Sequence, residues 1–436
     1  MRQLKIRRRD RDAIIQALRA GVVPRLGLRH LQVGRAREIE EMLGDVERIQ
    51  EGGSCIRFII GEYGSGKTFF LNLVRLIALE KGLVAMSADL APDRRLYATQ
   101  GQARSLFAEM ARNLSTRTKP AGGALPSVVE RFVSRAAHEA GDGGDVGGVI
   151  RARLAHLEEY VGGYDFATVV GRYWQGHDTG SEQLKSDALR WLRGEFSTRT
   201  DSRKALGVRT IVTDASVYDH LKLMSAFVCQ AGYKGLLVVL DEMVNIYKLV
   251  NSRSRNANYE QVLRILNDVL QGSASHLGFA MGGTPEFLMD TRRGLYSYPA
   301  LQSRLAENTF ARDGLVDLSG PVIALQNLSA EDLYVLLDNI RSVFAAGKNG
   351  KALVPEEALK VFMAHCSKRI GDAYFRTPRN TVKAFVSLLS VLEQNPGADW
   401  RKLVGHVDVR VDRGGGAAGA GGSGDDADDE LATFRL

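Results

Sequence analysis

The residues best suited to chemistry are Gly61-Glu62-Tyr63-Gly64-Ser65-Gly66-Lys67-Thr68, which fit G-x-x-x-x-G-K-[ST]. In this phosphate-binding loop, successive backbone N–H groups aim at one spot where a phosphate chain can sit. Gly64 and Gly66 allow dihedrals and a close approach that a Cβ would block. Lys67 is placed to reach the β- and γ-phosphates, and the Thr68 hydroxyl to hold Mg2+. A second set, Leu236-Leu237-Val238-Val239-Leu240-Asp241-Glu242, is an apolar run ending in two acids. Behind a phosphate loop, Asp241 would hold Mg2+ through water and Glu242 would polarise an attacking water. Catalysis with such groups is mostly positioning and charge stabilisation.

Other candidates carry weaker signals. Thr284 follows the apolar run 277–283, where it either orients the water and senses a γ-phosphate or simply ends a strand. Arg304 lies in Pro299-Ala-Leu-Gln-Ser-Arg-Leu305, which reads as a helix. It fits a finger onto a neighbouring subunit's γ-phosphate and equally a surface salt bridge. Arg376 and Arg379 flank Pro378 at a helix start, reaching back to the nucleotide or facing solvent. No Asn-Lys-x-Asp guanine-reading motif is present, so ATP is expected rather than GTP.

These groups need a sheet to hold them. Cys55–Ile60 before the loop reads as a buried strand, and Phe69 to Glu80 after it as a helix. Strands at 83–88, 236–240 and 277–283 alternate with helices, which argues for a parallel α/β sandwich with its site at the strands' carboxyl ends. From 100 to 232 the pattern is helical, near 103–115, 126–139, 147–161, 180–197 and 215–231. That stretch reads as a bundle packing its own core, or as a surface for a partner through residues such as Arg172, Trp174 and Arg193. Helices are expected at 4–20 and 36–50, and three more near 330–345, 355–369 and 378–393.

Composition bounds the rest. The chain has 436 residues, 44% hydrophobic and 25% charged, enough for two or three domains of an ordinary soluble protein. No apolar run is long enough to span a membrane, and Met1–Asp12 has no signal-peptide core, so no membrane contact is expected. Three scattered cysteines give neither a disulfide framework nor zinc spacing, and a reduced cytoplasmic setting is expected. The net charge of +7 is unevenly placed, with a basic head (Arg2 to Arg11) and an acidic tail (Asp425 to Glu430). The head suits nucleic-acid phosphates, an acidic partner or a solvated helix start. The Gly-rich stretch 414–424 reads as a flexible linker, and 431–436 as a docking peptide or a disordered end.

The ordered set Val33-Gly34-Arg35, phosphate loop, Asp241-Glu242, Gly283-Thr284, Arg304 and Arg379 resembles the AAA+ ATPases, nearest their origin-recognition-like and helicase-loader-like clades. The resemblance implies a P-loop NTPase three-layer sandwich with a parallel sheet, a large helical insertion and a small C-terminal helical lid. It divides the chain into a basic helix and linker (1–32), a first core segment (33–99), an insertion (100–232), a second core segment (233–324), a lid (325–412) and a tail (413–436). It assigns the phosphate cradle to Gly61, Glu62, Tyr63, Gly64, Ser65, Gly66, Lys67, Thr68 and Phe69, and metal holding to Thr68 and Asp241. It puts Arg35 near the adenine entrance, and makes Thr284 sensor 1, Arg304 an arginine finger and Arg379 sensor 2. A trans-acting finger implies a homo-oligomer. The insertion departs from the usual spacing, and a C-terminal winged helix is not expected.

More closely, Gly61-Glu-Tyr-Gly-Ser-Gly-Lys-Thr-Phe-Phe70, Leu240-Asp-Glu-Met243, Gly282-Gly-Thr-Pro-Glu-Phe287 and Thr377-Pro-Arg379 look like the ATP-binding proteins of bacterial BREX and related phage-defence islands. That resemblance implies partners among helicase, methyltransferase and phosphatase-like components, and DNA nearby. The expected function is an ATPase that remodels, loads or switches a DNA-processing partner. Two other readings stay open: a nucleotide-gated scaffold with little turnover, and a DNA-binding accessory protein using the basic head.

Overall fold

The computed structural model describes residues 6–308, 317–346 and 351–407. The tail assigned to 413–436, with its linker and docking peptide, lies outside these residues, as do Arg2 and Lys5 of the basic head.

In chain order the first elements are α1 (Arg8–Ala20), α2 (Ala36–Gln50), β1 (Ser54–Ile60), α3 (Lys67–Glu80) and β2 (Val84–Asp89). Seven helices follow: α4 (Gln102–Arg112), α5 (Leu125–Ala140), α6 (Val146–Leu154), α7 (Gly163–Asp178), α8 (Glu182–Leu192), α9 (Arg199–Leu206) and α10 (Val217–Gln230). Then come β3 (Leu236–Asp241), α11 (Val244–Tyr247), α12 (Ser252–Leu270), β4 (Leu277–Gly283), α13 (Pro285–Met289), α14 (Pro299–Leu305) and β5 (Val322–Ala324). The last are α15 (Ala330–Ala345), α16 (Glu357–Ile370), α17 (Ala373–Arg376), α18 (Arg379–Gln394) and α19 (Trp400–Gly405).

The five strands form one parallel sheet in the order β2-β3-β4-β1-β5. The α/β architecture with a parallel sheet is therefore as expected. Its strands are near-continuous apolar runs because helices cover both faces. The two-residue period of β1 sorts its side chains: Ile56, Phe58 and Ile60 join one core, Cys55 and Ile59 the other. On the second face α2 contributes Met42, Val46 and Ile49, and α3 contributes Phe70, Leu71 and Val74. β5, three residues long, was not legible as a strand. Its pairing with β1 through Phe58, Ile59 and Ile60 creates it.

The helices from α4 to α10 pack a core that is continuous with that of the sheet. Phe132, Leu154, Phe166, Trp191 and Phe227 belong to the same cluster as Phe58, Met86, Val238 and Phe279 of the sheet. α7 and α9 were missed in the sequence. α7 opens at Gly162-Gly163, a turn signal in the sequence, and holds Gly171 and Gly176, which weaken a helical pattern. Here glycine serves close packing: a Cβ on Gly176 would come within 2.9 Å of Ser181 O and of Lys185 Cγ.

A separate core joins the two ends of the described chain. Ile14 of α1 and Leu31 pack with Leu333, Leu337, Phe344, Phe362 and Phe385 of the C-terminal helices. The basic head is thus partly structural. Arg11 bonds Glu393 at 2.6 Å, and its guanidinium stands 5.8 Å from the centre of the Phe344 ring. Arg7, Arg8 and Arg9 stay exposed. Among the described residues no helix is long and apolar enough to cross a membrane.

Candidate nucleotide site

Parallel register brings the carboxyl ends of β1, β3 and β4 together, with Ile60 opposite Gly283 and Asp89 opposite Asp241. The loop 61–66 leaves β1 and enters α3 at Lys67. Gly64 and Gly66 both have φ of +84°, and a Cβ on Gly64 would stand 3.0 Å from Thr377 Cγ2. The Lys67 ammonium donates to the carbonyls of Gly61 and Glu62, each at 2.8 Å. Burial lowers its pKa against the opposing pull of Asp241 and Glu242. The Ser65 hydroxyl is buried and has no hydrogen-bond partner among the described residues.

Thr68 Oγ1 donates to Asp241 Oδ2 at 2.6 Å, so the two expected metal-holding groups meet. Asp241 Oδ1 accepts from the backbone N–H of Glu242 at 2.8 Å. That carboxylate lies against Gly282, where any side chain would collide with it. Glu242 adopts φ of +57°, uncommon for a residue with a Cβ. It is open to the cavity, yet desolvation by the surrounding protein and the nearby Asp241 and Asp89 carboxylates push its pKa up. Asp89 is raised for the same reasons. Thr284 lies at the end of β4, between β1 and β3, and its side chain caps α13 by accepting from Phe287 N at 3.4 Å.

These groups form one end of a cavity of about 810 Å3. Tyr63, Phe69, Lys67, Asp241, Glu242 and Thr284 all line it. The other end is apolar and comes from the α1–α2 connection (Val22, Pro24, Val33) and the C-terminal helices (Leu336, Val382). Arg379 also lines the cavity, donating to Gly21 O at 2.7 Å and to the Tyr63 hydroxyl at 3.2 Å. It thereby ties α1, α18 and the phosphate loop together.

Arg35 donates through Nη2 to Ser65 O in the 61–66 loop and, at 3.3 Å, to Gln326 O. Burial lowers its pKa, offset by Glu38 and Asp332. Arg304 does not belong to the cavity wall. It is exposed on α14, with Nη1 bonded to Ala300 O at 2.8 Å. Asp89 and the wall formed by Val22 and Pro24 are site features that the sequence alone does not reveal. Asp89 had a signal, an acid ending a strand, but only strand order puts it beside Asp241. Val22 and Pro24 carry no local signal of a cavity wall.

A parallel α/β sheet with this loop at the end of an inner strand is compatible with a P-loop NTPase. The family model for the BREX system ATP-binding protein BrxC/D matches residues 6–408, and the chain belongs to that family. Membership gives it an ATP-binding role in phage defence, with other BREX components as partners. No curated protein matches the chain.

Proposed function

We propose that the protein is an AAA+ ATPase that hydrolyses ATP with Mg2+ in this cavity and uses the cycle to switch or remodel a DNA-processing BREX partner. The observation that carries this is the 2.6 Å bond from Thr68 to Asp241 beneath the phosphate loop, with Glu242 the next residue. The residues suit the groups they would hold. Glycines replace side chains where the loop must approach, a buried serine hydroxyl lacks a partner among the described residues, and the cavity lining is partly charged and partly apolar.

When bound, ATP supplies the phosphoryl group and Mg2+ neutralises its charge. Lys67 and the loop N–H groups hold the phosphates, Thr68 and Asp241 hold the metal, and Glu242 accepts a proton from the attacking water. Thr284 orients that water, and Arg379 reads closure of the C-terminal helices as sensor 2. In this reading 33–99 and 233–324 form the core, 100–232 is the insertion and 325–412 the lid. The segment 1–32 is joined to the lid through Ile14 and Arg11.

The test is ATP binding and steady-state turnover of the full chain, with and without duplex DNA. Lys67→Ala should abolish binding. Glu242→Gln should keep binding and lose about 100-fold or more in turnover. Unchanged affinity in the first refutes the loop assignment, and normal turnover in the second removes Glu242 from the reaction. Tight binding with negligible wild-type turnover in every condition would favour the nucleotide-gated scaffold.

A further inference from the structure

The opposite edge of the sheet, at the strands' amino ends, gathers positive charge from three elements. Arg131 and Arg135 on α5 are four residues apart and share a face. Both reach the turn between α10 and β3. Arg131 Nη2 donates to Gly232 O at 3.2 Å, and its guanidinium stands 4.6 Å from the centre of the Tyr233 ring. The Arg135 guanidinium lies directly on Gly232, where a Cβ would overlap it and φ is +85°. Lys234 follows in that turn. Its N–H bonds Gly82 O at 3.1 Å, and its side chain runs beside Gly82, next to Lys81. All four cations are exposed.

Lys81 is paired with Glu47 at 3.2 Å, but among the described residues Arg131, Arg135 and Lys234 have no carboxylate partner. None of the exposed large apolar side chains lies on α5 or on these turns. The patch therefore lacks the apolar centre of a protein–protein interface. Guanidinium forks match phosphate oxygens, and the ring under Arg131 holds one fork in a fixed plane. Four helical residues rise about 6 Å, close to the axial rise of two phosphates of one duplex strand at about 3.4 Å each.

We propose that Arg131, Arg135, Lys234 and Lys81 form a site for the phosphate backbone of nucleic acid, bound without sequence readout. The cavity lies at the carboxyl ends of the strands and this patch at their amino ends, so the two ligands do not compete for space. The inference does not depend on ATP hydrolysis.

The test is fluorescence anisotropy of the full chain with a labelled duplex of about 20 bp, across about 50–200 mM KCl. Arg131→Gln/Arg135→Gln/Lys234→Gln should weaken binding at least tenfold and make the slope of log K against log salt shallower by about 2 to 3. Arg135→Gln/Lys234→Gln, which leaves the Arg131 contacts in place, should lower the slope by about 2 with an unchanged melting temperature and unchanged ATP affinity. Unaltered DNA binding by the double variant overturns the proposal. So does absence of binding by the wild type, or a loss confined to Arg7→Gln/Arg8→Gln/Arg9→Gln.

Discussion

Glu242 combines backbone strain with a crowded charge. Three residues with a Cβ have positive φ among those described, and two of them, Arg35 and Glu242, line the cavity. Strained residues of this kind persist where surrounding contacts over-determine them, often at working sites. Here the bond from Glu242 N to Asp241 Oδ1 does so, turning the chain sharply at the end of β3. Both Glu242→Gly and Glu242→Ala remove the carboxylate, but only glycine accepts this φ freely. The glycine variant should be the more stable by about 1 kcal/mol in urea unfolding. Equal stability of the two would show that position 242 is not strained. The motif was plain in the sequence, but the dihedral was not, since it depends on where β3 ends against β4.

At the scale of elements, α2, β1 and the approach to β5 are clipped by one buried arginine. Arg57 points to the face where α2 packs, and is only 2% exposed. It donates to both oxygens of Asp45, at 2.5 and 3.1 Å, and to Glu41 at 2.8 Å. Its Nη1 also serves the carbonyls of Leu318, at 2.6 Å, and Gly320. Every charged atom thus finds a partner, as a buried cation requires. Removing one partner leaves the other charge buried and unpaired. Asp45→Ala should cost about 3–5 kcal/mol in chemical denaturation, whereas a loss under about 1 kcal/mol would place the pair in effectively wet surroundings. The same packing logic decides α1. Its basic residues read as a free head, but Ile14 is fully buried in the C-terminal core. A single apolar stripe in a charged helix shows that the helix docks, not where.

Over the whole molecule, the cavity closes only because distant segments converge. The charged lining comes from the sheet, and the apolar lining from the α1–α2 connection and the C-terminal helices. Arg304 is absent from this convergence within one chain. If it completes a neighbour's site, mixing Arg304→Ala with wild-type subunits should depress steady-state turnover below the value set by dilution. A loss linear in the mutant fraction would leave Arg304 as a surface arginine bonded to Ala300 O.

The amino-acid sequence by itself determined the glycine-rich loop between β1 and α3, the acidic pair after β3, the parallel α/β class and most helices, because local periodicity, glycine placement and motif spacing encode them directly. It also placed Thr284 at a strand end. The tertiary structure alone decided that Asp89 stands beside Asp241, that Arg35 reaches Ser65, and that α1 belongs with the C-terminal helices. It alone joined the helices after β2 to the sheet's core, and brought Arg131, Arg135 and Lys234 to one turn. These are contacts between residues far apart in the chain, set by strand order and by burial of apolar faces, and no local window of sequence carries that information.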